Sequence, residues 1–214
     1  LIVVTVTVTL GYLVIGPIAT LITNLLGEFF ALLFVLPMIG SLLGCTLVGA
    51  FWMCLVIFGF HWSLVPIALV NLSTLGHDYI LGSVIAHSFS LGAVLFAMYL
   101  KNKDEKFRGI ALPAMISAFF FGVTEPAIYG VALPDKKAFI NASIGSAVGG
   151  LIIGLSGAVV YMSGGLGVFN WLSFIDPSGV NGINHMIWAI VASLVGAAVG
   201  FAIEFVTYKP EAAK

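Results

Sequence analysis

From Phe29 to His77 the chain carries no Asp, Glu, Lys or Arg. At about 1.5 Å of helix per residue this run is far longer than the roughly 30 Å hydrocarbon core of a bilayer, so it must cross, turn and cross again. A soluble core of this length would need a charged shell, and here only 8% of the 214 residues are charged while 61% are hydrophobic. The net charge is −1 and the basic residues sit in short clusters, which excludes a nucleic-acid-binding surface and makes the lipid bilayer the partner. Cys45 and Cys54 have neither metal-type nor redox spacing and read as small buried hydrophobes.

A second apolar run, from Gly109 to Pro134, contains the sequence Phe119-Phe120-Phe121-Gly122-Val123-Thr124-Glu125-Pro126-Ala127-Ile128-Tyr129-Gly130. A carboxylate at membrane depth costs on the order of 2.5–3.5 kcal/mol on insertion scales, and such residues face a cavity or a substrate path. Pro126 lacks an N–H and disfavours helix at Glu125, and Gly122 and Gly130 loosen the flanks. The run therefore reads as two half-segments whose freed backbone groups must be buried in protein or line a polar cavity. A proline-kinked spanning helix with a neutral Glu125 is the bland alternative.

Phe58-Gly59-Phe60-His61-Trp62-Ser63-Leu64-Val65-Pro66-Ile67 forms a second interruption, with His-Trp-Ser bracketed by Gly59 and Pro66. Interrupted segments near the bilayer middle are the best sequence pointer to a transporter's binding site. His61 donates or accepts a hydrogen bond, and Trp62 offers a flat apolar face suited to a sugar ring. A satisfied core histidine beside an interfacial tryptophan is the competing reading.

The remaining segments follow in order. Leu1–Leu26, with Gly16-Pro17 as a kink, spans once; it begins inside apolar sequence without Met or a basic flank, is too long for a signal peptide, and reads as part of a longer frame. Gly27-Glu28 is the next polar point, and the stretch from Phe29 to Phe60 is either strongly tilted or divided near Pro37–Gly40. Gly76-His77-Asp78-Tyr79 reads as a solvated turn. Tyr79–Leu100 makes a clean crossing containing His87 and Ser88, a bundle-facing polar pair in which His87 is at most an outer support of the site. Half of the basic residues lie in Lys101–Arg108, and Lys136, Lys137, Lys209 and Lys214 form the other clusters, all of which prefer the cytoplasmic side. A full crossing by Gly109–Pro134 would put Lys136 and Lys137 outside, whereas re-entrance keeps them in. Ala138–Met162 and Ile183–Tyr208 then go out and return, and their GxxxG spacings favour close packing. Ser163–Gly182 reads as an outer loop with interfacial aromatics, and Glu204 as a carboxylate that snorkels or finds a polar partner near the cytoplasmic end.

Gly122-Val123-Thr124-Glu125-Pro126-Ala127-Ile128 closely resembles the Gly-Ile-Thr-Glu-Pro-Ala-Ile signature of the membrane-embedded IIC component of sugar phosphotransferase system permeases. The stretch from Phe58 to Ile67 is similar to that of the β-glucoside-type members of the glucose superfamily; sucrose- and trehalose-type members tend to carry a double His there. The resemblance runs from about Gly27 through Tyr208, the C-terminal part of an IIC fold of about ten crossings that is usually dimeric. It implies that Glu125 and His61 bind sugar hydroxyls, with Thr124 and Trp62 completing the candidate substrate-binding set. It implies no bound cofactor. The phosphoryl donor would be a phosphorylated cysteine on a separate IIB domain fed from phosphoenolpyruvate through IIA, and neither Cys45 nor Cys54 sits in such a motif.

The expected fold class is an all-α membrane protein, a multi-span helical bundle with two interrupted or re-entrant hairpin segments, in the bacterial cytoplasmic (inner) membrane. Residues 1–60 are expected to form N-terminal transmembrane segments of a partial scaffold. Residues 61–208 are expected to form the sugar-binding transport region, and 209–214 a cytoplasmic tail or linker. The expected function is translocation of a sugar, a β-glucoside above others, coupled to its phosphorylation by IIB, with Glu125 or His61 as candidate proton acceptors. Expected partners are the sugar, IIB and IIA, the bilayer and a second copy in a homodimer, with no nucleic acid and no metal. Two alternatives stand beside it: an ion-coupled secondary sugar transporter with Glu125 as proton carrier, and an inactive membrane fragment.

Overall fold

The computed structural model describes residues 1–36 and 39–210. Among these the regular elements are all helices, joined by turns and loops, and a single isolated bridge, between Asp78 and Val160, is the extended pairing. Five helical runs among the described residues are long and apolar enough to cross a membrane: Ile2–Phe34, Gly40–Ile57, Ile80–Lys101, Lys136–Ser156 and Asn184–Thr207. The chain is accordingly a multi-pass membrane protein.

The first run comprises α1 (Ile2–Leu10), a π-helical turn (Gly11–Ile15) and α2 (Gly16–Val35). The polar point Gly27-Glu28 does not end the first segment near Leu26, because α2 runs through it to Val35. Gly27 instead lies so close to α4 (His61–Leu75) that a Cβ there would sit 2.9 Å from Ile67 Cδ1, and Glu28 stays on the exposed side, so neither residue interrupts the helix. The long uncharged stretch divides where expected: α2 ends at Val35 and α3 (Gly40–Ile57) begins at Gly40, while Pro37 itself lies outside the described residues. Residues 211–214 of the anticipated tail also lie outside them.

The bundle is centred on α6 (Ile85–Lys101), preceded by one turn, α5 (Ile80–Ser83). Thirteen of the seventeen residues of α6 are buried, from Ile85 to Met98. Around it pack α3, α9 (Lys136–Ser156) and α10 (Asn184–Thr207). Small residues set the spacing. A Cβ on Gly145 would strike Ser90 Oγ and Gly196 O, one on Gly149 would strike the Ala86 Cβ, and one on Gly150 would strike the Cys45 carbonyl. The GxxxG spacings are thus used for contacts inside this chain.

One end of the bundle is closed by Lys101 and Asn102. The Lys101 ammonium donates to the carbonyls of Phe205 (2.7 Å) and Tyr208 (2.6 Å), and Asn102 Nδ2 donates to the Tyr208 hydroxyl at 2.9 Å. At the same end Asn141, in the second turn of α9, donates to Glu204 at 2.7 Å and to Thr207 at 3.2 Å. The chain between Lys101 and α9 therefore leaves and returns at one end of the bundle, as re-entrance requires. This intervening hairpin consists of α7 (Glu105–Ile116), a π turn (Ser117–Phe121), the tip Gly122–Thr124, the one-turn α8 (Glu125–Ala127) and a second π turn (Ile128–Ala132). Asp104 caps its first helix, α7, and Asp135 caps the following α9 by accepting from backbone N–H groups, Asp104 from Lys106 and Phe107 and Asp135 from Lys137 and Ala138.

At the opposite end the turn after α4 is not the solvated loop its polarity suggested. Asp78 is only 1% exposed: it accepts from Asn71 Nδ2 at 2.8 Å and from the Leu81 N–H at 2.6 Å, and its backbone pairs with Val160. Burial pushes its carboxyl above the usual aspartate range, against the downward pull of those hydrogen bonds. The outer loop is likewise packed more deeply than interfacial anchoring implies. Phe174 is fully buried, and Trp171 stacks on Phe89 at 5.2 Å while its Nε1 donates to Ser193 at 3.1 Å. Cys45 is buried and Cys54 half-buried, both as free thiols.

Candidate functional site

The hairpin tip turns on Gly122, whose φ of +63° is the left-handed conformation that favours glycine. Ser117 Oγ donates to the Val123 carbonyl at 2.9 Å, which satisfies one acceptor freed by the break. The break thus falls at Gly122–Thr124, just ahead of Glu125. Glu125 begins the short helix and Pro126 occupies its first turn, where the missing N–H removes no hydrogen bond. Two π-helical turns flank this tip, at Ser117–Phe121 and Ile128–Ala132, a local unwinding often found at functional sites.

The other interruption falls at Phe58–Phe60, with Gly59 at φ +76°, and α4 then runs unbroken through Pro66. His61 is therefore the first residue of a helix. Its ring lies 5.8 Å from that of Trp52 and 5.6 Å from that of Trp62, and its Nδ1 is buried without a hydrogen-bond partner among the described residues. Trp62 is 68% exposed, which leaves much of its side chain uncovered.

The two interruptions meet around one cavity of about 470 Å³. His61 and Trp62 line it from α4, and Thr124 and Glu125 from the hairpin tip, so the four residues singled out in the sequence share one space. Thr124 is buried, whereas Glu125 is exposed. Three further contributions had no clear sequence signal. Trp52 and Val56 come from α3, His87 and Ser88 from α6, and the outer loop adds residues 162–167 and Asn170. The loop's clustered glycines, Gly164, Gly165 and Gly167, were the available hint, since they let backbone approach closely.

The volume suits a small ligand of one or two rings, and the lining mixes indole faces with a carboxylate, two imidazoles, hydroxyls and a carboxamide. Such a set accepts and donates hydrogen bonds to a neutral polyhydroxylated molecule while presenting a flat apolar surface to its ring. Among the described residues no group of His, Cys, Asp and Glu is placed to hold a metal ion.

Comparison with known proteins gives a consistent picture. The profile of the family described as "Phosphotransferase system, EIIC" matches residues 1–146. A "PTS system beta-glucoside-specific EIIBCA component" from Halalkalibacterium halodurans is 45% identical over 188 residues, covering 87% of this chain and 28% of that protein. A protein of the same description from Dickeya chrysanthemi is 36% identical over 94% of this chain and 30% of its own length. A "PTS system arbutin-, cellobiose-, and salicin-specific EIIBC component" from Escherichia coli is 28% identical over 90% of this chain and 39% of its own length. The chain thus spans less than half the length of these relatives. No solved structure matches it.

Proposed function

The chain belongs to the phosphotransferase system EIIC family, and from that premise we propose that its cavity carries a β-glucoside across the bacterial cytoplasmic membrane for phosphorylation by a IIB domain. The observation that carries this reading is the convergence of His61, Trp62, Thr124 and Glu125 on one cavity from two separate interruptions. The Glu125 carboxylate accepts hydrogen bonds from two sugar hydroxyls, His61 supplies another through its unpartnered Nδ1, and Trp62 stacks on the ring. Thr124, adjacent in the tip, contributes a hydroxyl. The site's main task is orientation.

When a rigid-body movement opens the site inward, the sugar 6-hydroxyl attacks the phosphocysteine of IIB in line. The O–P bond forms as the S–P bond breaks, the cysteine leaves as thiolate, and Glu125 or His61 takes the hydroxyl proton. IIB is recharged from phosphoenolpyruvate through IIA. The relatives described as EIIBCA components carry all three parts under one name, which supports IIB and IIA as partners here. A homodimer completes the proposed assembly. The short basic end formed by Lys101, Lys103, Lys106, Arg108, Lys136 and Lys137 is then the cytoplasmic face on which IIB docks.

The test is calorimetric binding of salicin to the detergent-purified intact protein, with and without Glu125→Gln. The glutamine preserves shape and removes charge. A hydrogen bond to a charged group is worth about 1.5–3 kcal/mol, so affinity should fall by roughly 10- to 150-fold while the fold is retained. Unchanged binding would remove Glu125 from the sugar site.

A further inference from the structure

His87 is the other imidazole at this cavity, and its circumstances differ from those of His61. It is 3% exposed, its Nε2 is buried with no hydrogen-bond partner among the described residues, and it lines the same space as Thr124 and Glu125. A buried ring nitrogen left unpaired is uncommon in a folded protein and calls for a partner that the polypeptide does not supply. The cavity is where that partner can reside. A sugar hydroxyl answers either state of the ring nitrogen, accepting from an N–H or donating to a bare nitrogen.

The elements carrying the two histidines also differ. His61 opens α4 directly after the Gly59 turn, and Glu125 opens a one-turn helix directly after the Gly122 turn, so both stand beside backbone that can rearrange. His87 is the third residue of α6, in its first turn, and α6 is the helix that α3, α9, α10 and the hairpin all touch. The neighbouring Ala86 is fully buried against the position of Gly149, which pins this turn of α6 to α9. A ligand group here sits on the most deeply buried helical run of the bundle rather than directly after a positive-φ glycine turn.

We propose that His87 is a sugar ligand on the α6 wall of the cavity, where it hydrogen-bonds one particular hydroxyl and so selects among sugars. This rests on the reading of the cavity as the sugar site. His87 does no chemistry in this role. It sets the position of the ring relative to Glu125 and His61, and it discriminates against an epimer or deoxy sugar lacking a hydroxyl at that point.

The experiment is a ligand–residue cycle on the intact protein, using calorimetric titration of salicin and its monodeoxy analogues. Wild type, His87→Ala, His87→Gln and Glu125→Gln are compared. His87→Ala should weaken salicin about tenfold yet bind one monodeoxy analogue as well as wild type does, because the bond is already missing there. His87→Gln, which restores a donor and an acceptor, should recover part of the salicin affinity; it also takes the alanine variant's place in the cycle if that protein is not monodisperse. An equal loss for every analogue, or no loss for any, would overturn the proposal. If those results come with the expected loss in Glu125→Gln, the sugar site stands and only the role of His87 falls. If Glu125→Gln binds normally, the reading of the cavity itself has failed.

Discussion

Gly122 in the hairpin tip and Gly167 in the outer loop face each other, both with positive φ, at a separation that leaves no room for a side chain on either. A Cβ on Gly167 would lie 2.6 Å from the Phe120 carbonyl oxygen and 2.7 Å from Gly122 N, and one on Gly122 would collide with Gly167 N. The contact joins the element that bears Glu125 to the loop that covers the cavity. Gly122→Ala must therefore adopt a left-handed backbone costing about 1–2 kcal/mol, and must also displace the loop. Both thermal stability and salicin affinity should fall. Gly109→Ala, in the middle of α7 with nothing within 4 Å, is the matched control and should be neutral or stabilising by about 0.5–1 kcal/mol. Thermal unfolding of the two variants side by side checks this, and equal behaviour would deny the clasp any importance.

Acid should loosen the outer loop before the bundle. Asp176 accepts from the Ser178 hydroxyl (2.6 Å) and N–H (2.8 Å) and from the Asn181 N–H at 2.9 Å, and these bonds hold its carboxyl down to about 2. Because the folded value is depressed below the ordinary aspartate range near 3.8, the ionised form contributes stability above that value. The contribution is lost as pH falls from about 4 towards 2. Hydrogen exchange across residues 176–182 should rise in that window, with the bundle helices still protected. Asp176→Asn should show fast exchange there at every pH. A pH-independent wild-type loop would contradict the assignment.

Glu125 stood out in the sequence because a charge in an apolar run has few explanations, and the Gly122 and Pro126 breakers beside it say that the backbone is interrupted. The same logic found His61 and Trp62. It did not find His87, because a histidine in the middle of a clean crossing looks the same whether it faces packed side chains or a cavity. Nor did it find the outer loop's part in the site, since Gly164–Gly167 read as a linker until the hairpin tip is laid against them. Asp78 and Trp171 were misjudged for a related reason. Local polarity suggested solvent and interface, but Val160 and Ser193, 82 and 22 positions further along, supply their tertiary partners. Re-entrance was legible from charge alone, because Lys101–Arg108 and Lys136-Lys137 prefer one side, and the Lys101–Tyr208 and Asn141–Glu204 bonds place both flanks at one end.

Close packing of α9 on α6 makes Gly149 intolerant of any side chain. A Cβ there would overlap Ala86 Cβ and approach the Ala192 carbonyl to 3.0 Å, so α9 would have to move away from α6 and α10 together. Overpacking of this kind costs about 1–3 kcal/mol. Gly149→Leu should lower the unfolding temperature in detergent and broaden the size-exclusion profile. Ala86→Gly, which opens space opposite, should partly rescue a Gly149→Ala protein, and a failure to rescue would show that the two helices are not in register at this level.

Glu204 is fully buried near the basic end of the bundle, with Asn141 Nδ2 donating to Oε2 at 2.7 Å and Oε1 left without a hydrogen-bond partner among the described residues. Asn141 also donates to Thr207 Oγ1, which in turn donates to the Ile203 carbonyl at 2.7 Å, so one carboxamide ties α9 to the last turn of α10. Removing one member of such a pair strands the other, at a cost of about 1–3 kcal/mol for a neutral group and more for a charged one. Replacing both with apolar groups of similar volume removes the desolvation penalty along with the bond. Asn141→Leu should therefore destabilise the protein markedly, Glu204→Leu less so, and the double variant should recover most of the loss rather than sum the two. The measurement is a double-mutant cycle on chemical unfolding in detergent. Additive losses would mean that Asn141 and Glu204 contribute independently, and that the junction of α9 and α10 is held by helix packing at Gly145, Gly196 and Gly200 rather than by this bond.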